Sequence, residues 1–194
     1  VVPFGGTESY FGTNPIAFAS PRKSGDPILF DMATTVQAWG KILDARSKNK
    51  SIPDTWAVDK HGEPTADPFE VAALLPVAGP KGYGLMMMVD ILAGSLLGLP
   101  FGKHVTSMYE DLSQYRRLGQ FHIVINPAYF GDETQFLTQV SDMVDELHDV
   151  KPAKGFDQVY YPGEIQEEVK KQYAERGIPV PQEIYDYLIS DDIY

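Results

Sequence analysis

The segment best equipped to do chemistry is Gly79-Pro80-Lys81-Gly82-Tyr83-Gly84, a glycine-rich turn holding one lysine. Glycines let a backbone approach a ligand closely, and a helix start behind them presents free N–H groups. Lys81 adds a point charge, so the segment can cradle a pyrophosphate without Walker or Rossmann spacing. The same glycines serve equally well in an ordinary chain reversal, and composition leaves both readings open. A second segment is Asp31-Met32-Ala33-Thr34-Thr35, placed where a strand ends and a helix begins. Crevices outside strand ends are where α/β sheets bind ligands. Asp31 could accept from ribose hydroxyls and Met32 could pack on a flat ring; capping preference favours the plainer reading, in which Asp31 and Thr34 cap the helix.

Other chemistries lack their residues. No G-x-G-x-x-G follows a strand, and G-x-x-x-x-G-K-[ST], G-x-S-x-G and H-E-x-x-H are all missing. With no cysteine there is no thiolate nucleophile, disulfide or Cys-ligated zinc, and nothing requires an oxidising compartment. The four histidines, His61, His104, His122 and His148, are scattered, and His148 falls at a helix C-terminus where a cation is favoured anyway. No general acid–base candidate stands out among them. A net charge of −11 argues against a phosphate-reading nucleic-acid surface and against an anionic membrane face.

The elements that must position these residues follow an α/β alternation. Residues 15–19 (PIAFA) and 27–33 (PILFDMA) read as strands joined by the Lys23-Ser24-Gly25-Asp26 turn. Thr34 and Thr35 offer an N-cap for a helix carrying Val36, Trp39, Ile42 and Leu43 on one face. Residues 55–58 alternate like a strand, and Asp67-Pro68 reads as a helix start. Residues 84–102 form the most apolar stretch; a central Asp90 would cost roughly 3 kcal/mol in a bilayer, so a buried core helix is expected instead. Gly94 and Gly98 lie four apart, and on one helical face they would admit another backbone. Residues 121–125 (FHIVI) read as a strand, 132–148 and 164–176 as helices, and 181–190 as a short final helix before an acidic, frayed end. The chain opens Val1-Val2-Pro3 rather than with Met and reads as the interior of a longer polypeptide.

These segments together carry a pattern. Gly12-Thr13-Asn14-Pro15-Ile16-Ala17-Phe18, Phe30-Asp31-Met32-Ala33-Thr34-Thr35, Pro80-Lys81-Gly82-Tyr83-Gly84-Leu85 and Tyr161-Pro162-Gly163-Glu164 resemble, in order, the malate/L-lactate dehydrogenase type 2 family. Gly119-Gln120-Phe121-His122-Ile123-Val124-Ile125-Asn126-Pro127 and Tyr187-Leu188-Ile189-Ser190-Asp191 extend the likeness towards one branch of it. The resemblance implies an NAD(P)-dependent 2-hydroxyacid oxidoreductase, α/β in class, with a mixed non-Rossmann sheet flanked by helices. It implies cofactor contacts at Asp31, Met32 and Ala33, at Lys81, and at Gly163, Glu164 and Ile165.

The family's catalytic His and substrate-gripping Arg lie in an N-terminal helical region that no segment here matches. The resemblance therefore implies a C-terminal part of the enzyme, with no catalytic residue or metal ligand of its own and inactive alone. Residues 1–150 would form the NAD-binding body and 151–194 a C-terminal segment with the P-G-E turn. The resemblance implies a homodimer with a small 2-hydroxy acid as its partner. The acidic charge disfavours nucleic acid and membrane, and the lack of cysteine makes a cytoplasmic setting the default. NAD is preferred to NADP because a strand-end carboxylate repels a 2′-phosphate.

Overall fold

Turn chemistry places the first two strands where the pattern predicts them. In the computed structural model, which describes residues 1–107 and 113–190, β1 (Ile16–Ser20) pairs with β2 (Ile28–Met32) in a two-stranded sheet. Asp31 and Met32 are the last residues of β2. The capping expectation at Thr34 and Thr35 is not met. Helix α1 (Trp39–Ser47) begins later, with Ala38 as N-cap and no side-chain cap. Both threonines point their hydroxyls at carbonyls instead: Thr34 donates to Thr13 O (2.9 Å) and Asn14 O (3.0 Å), and Thr35 to Gln37 O (2.9 Å). Thr34 is fully buried with its hydroxyl turned to loop carbonyls, and the helix begins five residues further on, out of reach of a cap at either threonine.

The Asp67-Pro68 helix start is likewise overridden. Asp67 Oδ1 accepts from Phe69 N (2.9 Å) and closes one turn, which stops there. Val71, Ala73 and Leu74 are buried, and β4 (Ala73–Leu74) pairs antiparallel with β3 (Ala57–Val58), Ala57 opposite Leu74 and Val58 opposite Ala73. Burying these apolar residues in a ladder outweighs a local helix signal worth about 1 kcal/mol.

Helix α2 (Pro80–Ala93) starts earlier than predicted, taking the lysine turn into its own first turn with Pro80 at the start and Gly79 as N-cap. It is not buried all round: Gly82 and Met86 are buried, while Met87, Met88 and Ile91 are exposed. The central Asp90 has a structural task. Its carboxylate accepts from Gly102 N (3.0 and 3.3 Å) and from Asn14 Nδ2 (3.4 Å), pinning the chain beyond the helix back onto it. No helix among the described residues is long and apolar enough to cross a membrane. Gly94 and Gly98 do not share a helical face, because α2 ends at Ala93. Gly94 is the C-cap, packed near its own chain's Pro100 carbonyl, and Gly98 takes a left-handed φ of 65° with nothing against it.

Residues 121–125 form no strand, and Ile123, Val124 and Ile125 are exposed. A strand exists only with a ladder partner, and among the described residues none pairs with this stretch. Helices α3 (Glu133–Asp149), α4 (Glu164–Arg176) and α5 (Gln182–Leu188) match their predicted spans closely. Asp132 caps α3 by accepting from Gln135 N at 2.7 Å, and Gly163 and Gly177 bound α4. Asp191 and the acidic end lie outside the described residues.

The chain divides into two compact units: Val1–Ala17 with Asp31–Ile125, and Phe18–Phe30 with Asn126–Tyr194. The first has its core around Phe11, Ile42, Ile52, Ala57, Leu74 and Met86, with Trp39, Trp56 and Tyr83 packed against it. Ile42 and Met86 are fully enclosed, each contributing about 2–3 kcal/mol by burial. The second unit buries Val140 and Val144 of α3 together with Tyr161.

Candidate functional site

The first unit positions Asp31-Met32-Ala33 and Lys81 through one run of backbone hydrogen bonds. Thr34 N donates to Thr13 O (2.9 Å), Val77 N to Thr34 O (2.9 Å) and Val36 N to Leu75 O (3.0 Å). The residues after Asp31-Met32-Ala33 are thus laced to the residues just before α2. Asn14 ties in the same helix from the other side, its Nδ2 donating to Met86 O at 2.9 Å. Asp31 and Lys81 are exposed, and among the described residues neither side chain has an ion-pair or hydrogen-bond partner. With the capping role gone, Asp31 is left as a strand-end carboxylate free to accept.

The glycines of the lysine turn divide between the two readings of that segment. Ala78 and Gly79 both take left-handed backbone, φ 50° and 59°, to reverse the chain into α2. For Ala78 that conformation costs about 1–2 kcal/mol, strain that nothing in an alanine's sequence signals. Gly82 is required by packing, since a Cβ there would stand 1.8 Å from Val77 O. Gly84 faces open space. The first-turn amides are partly used: Pro80 has none, and Lys81 N already bonds to Ala78 O at 3.4 Å. Lys81 therefore brings its side-chain charge to this place rather than a ring of free amides. A cleft of about 530 Å³ in the same unit reaches Ala78 and Gly79 and is walled by Pro3, Phe4, Val36 and Leu75.

Gly163, Glu164 and Ile165 belong to the second unit, at the start of α4. Gly163 is left-handed at φ 96°, and Leu29 N of β2 donates to the neighbouring Pro162 O at 3.0 Å. Glu164 is half-buried and fully engaged: Oε2 accepts from Tyr161 N (3.1 Å) and Oε1 pairs with His148 Nε2 (2.8 Å). Ile165 is exposed. Tyr161, Arg22 and His148 support this turn and were not singled out from the sequence as site residues. Only the closeness of the P-G-E motif to an aromatic residue could have flagged Tyr161. Among the described residues no group of three or more His, Asp or Glu side chains could hold a metal ion.

A strand-end carboxylate, an unpaired lysine at a helix start and a clamped glycine turn are the remaining features against which known proteins can be compared. The chain matches the malate/L-lactate dehydrogenase family over residues 1–189 and belongs to that family. Within it, the chain is 61 % identical over 194 residues to the ureidoglycolate dehydrogenase (NAD(+)) of Escherichia coli O157:H7, covering 100 % of this chain and 56 % of that protein. It is 38 % identical over 192 residues to the L-sulfolactate dehydrogenase of Methanocaldococcus jannaschii, covering 97 % of this chain and 54 % of that one. The solved structure of the Methanocaldococcus jannaschii sulfolactate dehydrogenase superposes with a TM-score of 0.85 at 37 % identity, over 96 % of this chain and 53 % of that one. Malate dehydrogenase of Entamoeba histolytica gives 0.86 at 28 % identity, over 96 % and 55 %. The chain thus spans about half the length of the relatives it matches.

Proposed function

We propose that this chain is the cofactor-holding part of an NAD-dependent dehydrogenase that oxidises (S)-ureidoglycolate to oxalurate. The observation that carries the substrate is the 61 % identity to a ureidoglycolate dehydrogenase, against 38 % to a sulfolactate dehydrogenase. The reaction removes a hydride from the carbon bearing the hydroxyl and a proton from its oxygen, leaving an amide-type carbonyl between the ureido nitrogen and the carboxylate. NAD, when bound, accepts that hydride. The proton needs a base, and the family's His and Arg for base and substrate grip are assigned to sequence this chain does not contain.

The chain's own residues bind and orient. Lys81 places a positive charge where a pyrophosphate would lie. Asp31 accepts from ribose hydroxyls and disfavours a 2′-phosphate, which is why NAD is chosen over NADP. Met32 and Ala33 offer apolar contact to a flat ring, and Gly163, Glu164 and Ile165 supply the P-G-E turn. Unpartnered Asp31 and Lys81 fit a charged, hydroxylated ligand, and no buried group has to be freed to receive it. By role, residues 1–150 form the NAD-binding body and 151–194 the segment bearing the turn. A mixed non-Rossmann sheet, a homodimer and a cytoplasmic setting belong to the same reading, supported by the family and by the lack of any cysteine.

Two measurements test it. The full-length polypeptide is offered ureidoglycolate, malate, lactate and sulfolactate separately, with NADH formation followed at each. Turnover confined to ureidoglycolate is expected; turnover of another 2-hydroxy acid instead discards the substrate assignment and keeps the class. Lys81→Ala should weaken NADH binding roughly 10- to 100-fold, the loss of one charge-assisted contact, with folding intact. Unchanged affinity refutes the phosphate role.

A further inference from the structure

We infer that His148 is a positioning residue for the nucleotide-binding turn, acting through Glu164. The inference rests on the reading that the P-G-E turn contacts the cofactor. It starts from the use to which Glu164 is put. An acidic residue in the first turn of α4 would ordinarily face water and gain a little from the helix dipole. Here the Glu164 side chain is only 13 % exposed, and both its oxygens are occupied, one by Tyr161 N–H and the other by His148 Nε2. Each carboxylate oxygen thus already has a partner within the protein. Glu164 holds the turn's shape, so that the turn's backbone and Ile165 are placed to meet a cofactor.

His148 reaches the turn from a different element. It lies in the last turn of α3, and α3 is itself anchored: Lys23 N donates to Leu137 O (3.1 Å) and Ser24 N to Ser141 Oγ (3.3 Å). The bond to Glu164 therefore ties the turn to a fixed helix rather than to its own flanking chain. The same histidine ring lies 5.9 Å from the ring of Tyr161, whose other contacts come from Arg22, with the guanidinium 5.0 Å over the ring and Nη2 donating to Tyr161 Oη at 3.1 Å. Tyr161 is thus supported by His148 and Arg22, and its N–H is held by Glu164. Pro162 O and Gly163 then sit on the backbone of Leu29, where the close approach tolerates no Cβ.

Without His148, Glu164 keeps a poorly hydrated charge with one partner. Rotating outward to water relieves that cost and releases Tyr161 N–H. The turn then loses the Tyr161–Glu164 bond that braces it beside its contact with Leu29, and Ile165 moves with it.

The test uses the full-length polypeptide with His148→Ala, Glu164→Ala, the double variant, His148→Phe, His148→Gln and Lys81→Ala. NADH dissociation constants are measured by fluorescence titration, and folding is checked by circular dichroism. His148→Ala and Glu164→Ala should each raise Kd about five- to tenfold, and the double variant no further than either alone, as for two residues acting through one contact. His148→Phe, which keeps a ring against Tyr161 but cannot donate, should behave like His148→Ala. His148→Gln, whose amide can still donate to Glu164, should restore affinity. Additive losses, or a silent His148→Ala and His148→Phe beside a weakened Lys81→Ala, overturn the role of His148 and leave the cofactor reading standing. A silent Lys81→Ala together with silent His148 variants overturns both.

Discussion

Replacing Gly163 by alanine tests a turn whose geometry demands glycine twice over. The residue sits at φ 96°, a left-handed conformation costing an L side chain about 1–2 kcal/mol. An added Cβ would stand 2.8 Å from Leu29 O, 2.9 Å from Leu29 Cβ and 3.0 Å from Leu29 N. Two of these three atoms are backbone atoms of β2, so the turn must lift away. It then loses the Leu29 N–H bond to Pro162 O, worth about 1 kcal/mol net. The sum is roughly 2–3 kcal/mol, before any loosening of Tyr161, and should lower the urea midpoint by about 1 M or more. The control is Gly155→Ala, at φ 95° with nothing within 4 Å, which carries the backbone strain alone. Both tryptophans, Trp39 and Trp56, belong to the first unit, so their fluorescence is the wrong probe. Far-UV circular dichroism, which sees α3, α4 and α5, is the right one. If Gly163→Ala proves no less stable than Gly155→Ala, the contact with Leu29 is not what excludes a side chain. If folded Gly163→Ala also binds NADH like the wild type, the turn does not contribute to the cofactor site.

Asp90→Ala removes the acceptor of Gly102 N and Asn14 Nδ2 and should cost about 1–3 kcal/mol in urea unfolding of the first unit, read by tryptophan fluorescence. A neutral effect would mean that the chain beyond α2 is held by packing alone. The exposed Asp26–Lys171 pair predicts a pH window. The hydrogen bond from Lys171 (2.7 Å), aided by its charge, holds Asp26 below the ordinary carboxylate value of 3.8, and Asp26 likewise raises Lys171 above 10.5. A depressed carboxylate stabilises the fold above its unfolded value and loses that contribution as pH falls through the folded one. A raised lysine stabilises it below its unfolded value and loses that as pH climbs through the folded one. The melting difference between wild type and Asp26→Asn should therefore be present at neutral pH, shrink in strong acid and strong alkali, and vanish in about 1 M salt, where the Debye length is near 3 Å. A difference indifferent to both pH and salt would show that charge is not its origin.

Helices α3 and α4 were legible because their end signals are local and, in α3, the buried face is periodic. Asp132 caps the one, and Gly163 and Gly177 bracket the other, without help from distant chain. The motif residues were legible too, since Asp31 does end a strand and Lys81 does open a helix. Thr34, Asp67 and residues 121–125 misled for a common reason. Each carries a local preference worth about 1 kcal/mol or less, and distant partners decide against it. Thr34 goes to Thr13 and Asn14, Val71 to Leu74 go to the core beside β3, and residues 121–125 lack a ladder among the described residues.

What the order of residues determined by itself is therefore the class of the protein and the identity of its motifs, because glycine, proline and charge act where they stand. Tertiary structure alone decided which of those residues are free. Asp31 and Lys81 are left without partners, whereas Glu164 is engaged by Tyr161 and His148, and Gly163 is required by Leu29, a neighbour reached only through folding. A side chain's availability is a property of its surroundings, and those are assembled from parts of the chain far apart in sequence, as with Leu29 and Gly163.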